Sequence, residues 1–123
     1  MPTAKERETG TAFLPKFDTN GLLCAVVQDA DTDAVLMVAY MDREALQRTV
    51  DSGFACFYSR SRKAQWMKGE TSGNTLAVEE VMVDCDQDTL VLRVKPAGPA
   101  CHTGAKTCFY RRLADGKLEP VAT

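Results

Sequence analysis

The chain holds one histidine, His102, and one tryptophan, Trp66, among its 123 residues. Proton transfer by an imidazole near neutral pH therefore rests on a single side chain. Aromatic residues make up only 7% of the sequence, and the formal net charge is −2. Nothing in that balance favours a sequence-independent grip on nucleic acid or an attraction to anionic membranes. No apolar run approaches the roughly 20 residues that cross a bilayer. The opening MPTAKERETGTAFLPKF is charged, broken by proline and glycine, and without an apolar core, so it does not read as a secretory signal. Cytoplasmic residence is the expectation. The cysteines Cys24, Cys56, Cys85, Cys101 and Cys108 are odd in number and contain no C-x-x-C pair. A disulfide framework, a thioredoxin-like redox site and a zinc finger of closely paired thiols are all disfavoured.

What is present is an ordinary globular composition, 45% hydrophobic and 26% charged, of a length that buries one core. Residues 1–16 read as a tail of weak order, and 17–123 as a single domain. GLLCAVVQDADTDAVLMVAYM reads as a hairpin, two β-rich runs about the turn-forming DADTD. Asp42 is an N-cap, Ala45, Leu46 and Val50 form an apolar stripe, and Gly53 is a stop, which predicts a helix of about three turns. FACFYS, LAVEEVMVD, TLVLRVKP and FYRRL are strands, with a further short one around 65–68. The expected class is α+β, mainly antiparallel with one main helix. Cys24 and Cys56 lie inside apolar runs and read as small buried hydrophobes. The long loops at 59–75 and 97–107 are where function is sought.

Three groups of residues carry chemistry. DCDQD sets Asp84, Asp86 and Asp88 around Cys85 and Gln87. On an extended chain the acids share one face and repel, a cost that a hard divalent cation held by oxygen ligands removes. On that same extended chain Cys85 points to the opposite face, which favours separate sites for thiolate and carboxylates. On spacing alone, a solvated acidic corner stays open beside a metal site. Cys85, Cys101 and Cys108 are three thiolates, a set that suits zinc and leaves a tetrahedral position for water. Three unrelated buried cysteines remain the alternative. His102, next to Cys101 in GPACHTGAKTC, is the candidate for proton transfer or else a plain surface residue. The third group, SRSRKAQWMKGETSG, gathers Arg60, Arg62, Lys63 and Lys68 with Glu70, Thr71 and Ser72. Guanidinium forks and glycine-exposed N–H groups bind phosphate, so a small phosphorylated molecule fits better than a polynucleotide. A basic solvated loop is the other reading, and Glu70 either pairs with one of these cations or acts at the site.

In order, FDTNGLLCAVVQD, VLMVAYMDREAL, FYSRSRKAQWMKGETSGN, VDCDQDTLVLRV and GPACHTGAKTCF resemble the phosphoribosyl-AMP cyclohydrolase family of histidine biosynthesis over about residues 17–109. The resemblance implies an intertwined homodimer that opens the adenine ring of phosphoribosyl-AMP at N1–C6. It implies Mg²⁺ on Asp84, Asp86 and Asp88, and a Zn²⁺ site shared between subunits on Cys85, Cys101 and Cys108. Zinc-activated water is then the nucleophile and His102 the proton carrier. Arg60, Arg62, Lys63 and Lys68, with Glu70, Thr71 and Ser72, become the substrate-binding set. Many relatives carry histidine where this chain has Asn74, which cannot shuttle a proton. Some relatives continue into a pyrophosphohydrolase domain; this chain is expected to carry the cyclohydrolase alone. A zinc-stabilised binding module without catalysis is the rival reading, with a closed four-ligand site.

Overall fold

The computed structural model describes residues 1–121. The elements run α1 (Ala4–Thr9), β1 (Leu23–Asp29), β2 (Val35–Met41), α2 (Arg43–Ser52), β3 (Cys56–Ser59), β4 (Ala64–Met67), β5 (Leu76–Val83), β6 (Thr89–Pro96), β7 (Arg111–Ala114) and β8 (Lys117–Pro120). A four-stranded sheet has the order β2-β1-β6-β5, and two-stranded ribbons pair β3 with β4 and β7 with β8. All of these pairs are antiparallel except β1 with β6, so the α+β, mainly antiparallel expectation holds among the described residues.

Strict alternation along the two central strands builds the core. Leu23, Ala25 and Val27 of β1 and Leu90, Leu92 and Val94 of β6 turn to one face and are buried. Met37, Met41, Leu46, Phe57 and Leu76 close over them. The opposite face presents Val38, Val26, Val91 and Met82 in one row across all four strands. Val38 and Met82 in that row are exposed.

Helix α2 starts where Asp42 Oδ1 accepts from the Ala45 N–H at 2.8 Å, and it stops at Gly53, whose φ of 77° is left-handed. Its inner face differs from the expected stripe: Ala45, Leu46 and Thr49 are buried, and Val50 is 61% exposed. Thr49 goes inward because its hydroxyl has partners there. It accepts from Cys56 N at 2.9 Å and lies 2.9 Å from Ala45 O and 3.2 Å from Cys56 O, either of which takes its proton. That clasp seats α2 on β3.

Two segments differ from the sequence expectation. Residues 1–16, read as a tail, carry α1, which Thr3 caps by accepting from the Glu6 N–H. The last strand of the sequence reading becomes a β7–β8 hairpin that turns at Asp115 and Gly116, both of positive φ. The Lys117–Pro120 strand lacks the β-branched and aromatic residues that would have signalled it.

Candidate functional site

The acidic corner closes the β5–β6 hairpin. It is a tight turn, not the extended segment that would put the three acids on one face. Gln87 N donates to Asp84 O at 3.1 Å, and Gln87 has φ 60°. Asp84 Oδ1 accepts from the N–H groups of Asp88 (3.0 Å) and Thr89 (3.2 Å), and the Thr89 hydroxyl donates to Asp88 at 3.0 Å. The carboxylates still converge: one oxygen each of Asp84, Asp86 and Asp88 lies within 4.8 Å of the others. Such an oxygen cluster fits a hard divalent cation. Partial loss of water, and then a proton shared with Asp88, push Asp84 above the usual carboxylate range. The hydrogen bonds from Asp84 and Thr89 hold Asp88 below it, helped by the charge of Lys16.

Two cysteines flank the cluster. Cys24, opposite Thr89 across β1 and β6, is only half-buried, unlike the fully buried Cys56. Burial and then the charge of Asp88 push its thiol up. The sequence reading of Cys24 as a plain core residue is corrected to that extent: β1 begins beside the acidic turn, and Cys24 lines a cleft with Asp88 and Thr89. Cys85 is exposed in a cleft of about 360 Å³ between the turn and residues 7–13.

The other thiols stand at the far end of β6. The CHTG loop folds back on itself through Cys101 N to Ala105 O (3.1 Å) and Gly104 N to Cys101 O (3.0 Å). It is tied to the start of β2 by Cys108 N to Leu36 O (2.7 Å) and by the Thr107 hydroxyl to Val35 O (2.7 Å). Thr103 donates its hydroxyl hydrogen to Cys101 Sγ at 3.0 Å. The Thr103 hydroxyl and backbone N–H draw the Cys101 thiol down, with Cys108 and Lys68 adding to the effect. Burial and then the charge of Cys101 push Cys108 up, against the pull of Lys68. His102 is exposed beside this pair. Eight residues of β6, at about 3.3 Å each, separate the pair from Cys85. One chain therefore brings together two of the three expected thiols, and among the described residues the aspartates are the metal-sized group of His, Cys, Asp and Glu.

The expected substrate set is likewise divided. Arg60 lies 4.1 Å over the Tyr40 ring at the carboxylate end of the sheet. With Ser59, Ser61, Arg62 and Trp66 it lines a cleft of about 580 Å³, and Lys63 sits at the hairpin tip with φ 51°. Lys68 is at the thiol end, its N–H on Ala55 O at 3.1 Å. Glu70, Thr71 and Ser72 lie on the turn that follows, where Ser72 Oγ accepts from Asn74 N at 3.2 Å. Asn74 packs against the other loop: a Cβ on Gly98 would meet Asn74 Oδ1 at 2.3 Å, so only glycine admits the contact. Tyr40, Thr103 and Thr107 are missed by the sequence reading. The CHTG spacing carried the signal for Thr103, whereas Tyr40 gives none because its partner is 20 residues away in another strand turn.

No helix among the described residues is long and apolar enough to cross a membrane. Residues 37–110 match the family model described as phosphoribosyl-AMP cyclohydrolase. The chain is 63% identical over 121 residues to a protein of Erythrobacter litoralis named phosphoribosyl-AMP cyclohydrolase, covering 98% of this chain and 97% of that one. A protein of the same name from Sphingopyxis alaskensis is 61% identical over 96% of this chain and 94% of its own. One from Neisseria gonorrhoeae is 56% identical over 85% and 80%.

Proposed function

Since the chain belongs to the phosphoribosyl-AMP cyclohydrolase family, hydrolases of the histidine pathway, we propose that it opens the adenine ring of phosphoribosyl-AMP at N1–C6, with each site built from two copies of the chain. The separation of the thiols carries this reading: Cys101 and Cys108 interact at one end of β6, and Cys85 stands at the other. Three thiolates suit zinc, and only a second copy supplies the third to the pair. A twofold operation that brings a partner's turn to this pair builds two equal centres. The row of Val26, Val38, Met82 and Val91 supports such a pairing, being apolar surface that a second copy removes from water.

Cys85, Cys101 and Cys108 would hold zinc, and Asp84, Asp86 and Asp88 magnesium, soft donors for one ion and hard for the other. When bound, zinc brings the pKa of a coordinated water toward neutrality, and magnesium offsets carboxylate and phosphate charge. The side chains do the rest. Arg60, Arg62 and Lys63 take one phosphate as charge-assisted donors, and Lys68 approaches the substrate from the thiol end. Glu70, Thr71 and Ser72 line the loop between Lys68 and Asn74 and orient the ligand. The ribosyl group on N1 makes the ring cationic, so C6 is electrophilic. Water oxygen bonds to C6, the N1–C6 bond breaks, and N1 keeps the electron pair. His102, exposed beside the thiols, takes the proton from water and returns one to N1.

Zinc-loaded protein with Mg²⁺ should convert phosphoribosyl-AMP, read as the absorbance change of ring opening, and a chelator should stop it. Absence of turnover in that preparation overturns the proposal. The Cys101→Ser variant should lose zinc by metal analysis together with its rate; full zinc and full rate would remove the thiol assignment.

A further inference from the structure

Gln87 is the one residue of the acidic turn that offers neither carboxylate nor thiol, yet it is the buried one, 6% exposed. Its φ of 60° is a conformation that a turn would more cheaply give to glycine or asparagine. Every polar group it has is engaged. Side-chain Oε1 accepts from Leu14 N at 2.6 Å, and Nε2 donates to Arg7 O at 2.9 Å and Ala12 O at 3.3 Å. Its own carbonyl accepts from Lys16 N at 2.7 Å, and its N–H goes to Asp84 O. Four of these five bonds reach residues 7–16, which the Arg7 guanidinium closes into a loop by donating to Leu14 O at 3.0 Å. An amide is needed here: a carboxylate would lack the donors for the two carbonyls, and a shorter side chain would lack the reach.

We propose that residues 1–16 are a strap clasped by Gln87, and that the clasp holds Asp84, Asp86 and Asp88 in their converged geometry. Gln87 is thus a positioning residue for the divalent cation, a role that rests on the cation reading above. Three like charges within 4.8 Å push the turn open. The bonds inside the turn fix Asp84 to Asp88 and Thr89 but hold Gln87 by its backbone N–H alone. The strap supplies the missing restraint from a part of the chain 73 to 80 residues distant. Cation binding and strap docking then favour each other by the same factor, as linkage requires.

The test uses full-length zinc-loaded protein and Mn²⁺ as the probe, with bound ion read by the loss of the free-ion spin-resonance signal. Gln87→Gly tolerates the positive φ and removes the three side-chain bonds to the strap, keeping the backbone bond from Lys16. It should weaken Mn²⁺ binding roughly tenfold at unchanged zinc content. In the parent, saturating Mn²⁺ should slow hydrogen exchange at the Leu14 and Lys16 amides by a similar factor and affect core amides such as Leu92 less, whereas general stabilisation would slow both. Unchanged Mn²⁺ affinity in Gln87→Gly, or exchange at Leu14 and Lys16 indifferent to Mn²⁺, overturns the strap. Asp86→Asn separates the two readings: if it too leaves Mn²⁺ affinity intact, the cation assignment itself falls.

Discussion

The Thr103 hydroxyl makes two chemically similar cysteines unequal. It donates to Cys101 Sγ and stabilises the thiolate there, while partial burial and then the neighbouring Cys101 charge hold Cys108 as the thiol. In metal-free protein the pair should therefore ionise in two steps, one below and one above the usual thiol range. Absorbance near 240 nm against pH reads both. Thr103→Val keeps the shape, loses the donor, and should move the lower step upward; an unmoved lower step would show that the hydroxyl does not set it. The sign for stability follows. A thiol whose folded pKa is lowered adds stability above its unfolded pKa and loses it as pH falls through the folded value; the raised Cys108 acts in the opposite sense as pH rises. The sequence marked Cys101, Cys108 and His102 because a thiol beside the lone imidazole, between glycines, is chemically conspicuous. It did not mark Cys24 as a neighbour of Asp88, since its run GLLCAVVQ looks like any core strand.

Among the elements, α2 shows what patterning captures and what it misses. Its ends were legible because a capping carboxylate and a left-handed glycine act locally. Its buried face was misjudged by one position because a hydroxyl with partners inside outcompetes a valine without them. Thr49→Val leaves the buried Cys56 N–H without an acceptor and should cost about 1–3 kcal/mol, whereas Val50→Ala on the exposed side should change stability by less than about 0.5 kcal/mol. Urea denaturation of both variants checks the pair, and equal losses would return Val50 to the core face. The β1–β2 and β5–β6 hairpins were readable from alternation. The docked N-terminal segment was not, because its bonds to Gln87 span most of the chain and leave no local periodicity. The corner itself was half legible: composition announced three acids together, but not that a turn rather than a strand gathers them.

At the scale of the whole molecule, the proposed shared site makes a prediction that no single-chain site could meet. Cys85→Ser and Cys101→Ser chains should each be inactive alone. Unfolded together and refolded as a mixture, they form mixed dimers in which one centre holds all three thiols. Activity should return to about a quarter of the parent's, as random pairing of two chains in a twofold dimer dictates. A mixture as dead as its components would place the three thiols in one chain. The sequence pointed to these residues and, through its resemblance, to a site shared by two subunits. It held no reason for such sharing, since the opposed placement of Cys85 and the Cys101–Cys108 pair arises only when β6 lies straight between them.

That strand acts as a measuring rod. Thr89–Pro96 begins beside the carboxylates and ends at the approach to the thiol loop, so its length sets the distance between the carboxylate cluster and the thiol pair of one chain. In the proposed dimer, twofold symmetry would use the rod twice, once for each centre. A deletion of one residue would shorten it by about 3.3 Å and turn Leu90, Leu92 and Val94 outward together. The spacing of the chemistry and the alternation of the core are thus written in the same eight residues, and neither can drift without the other.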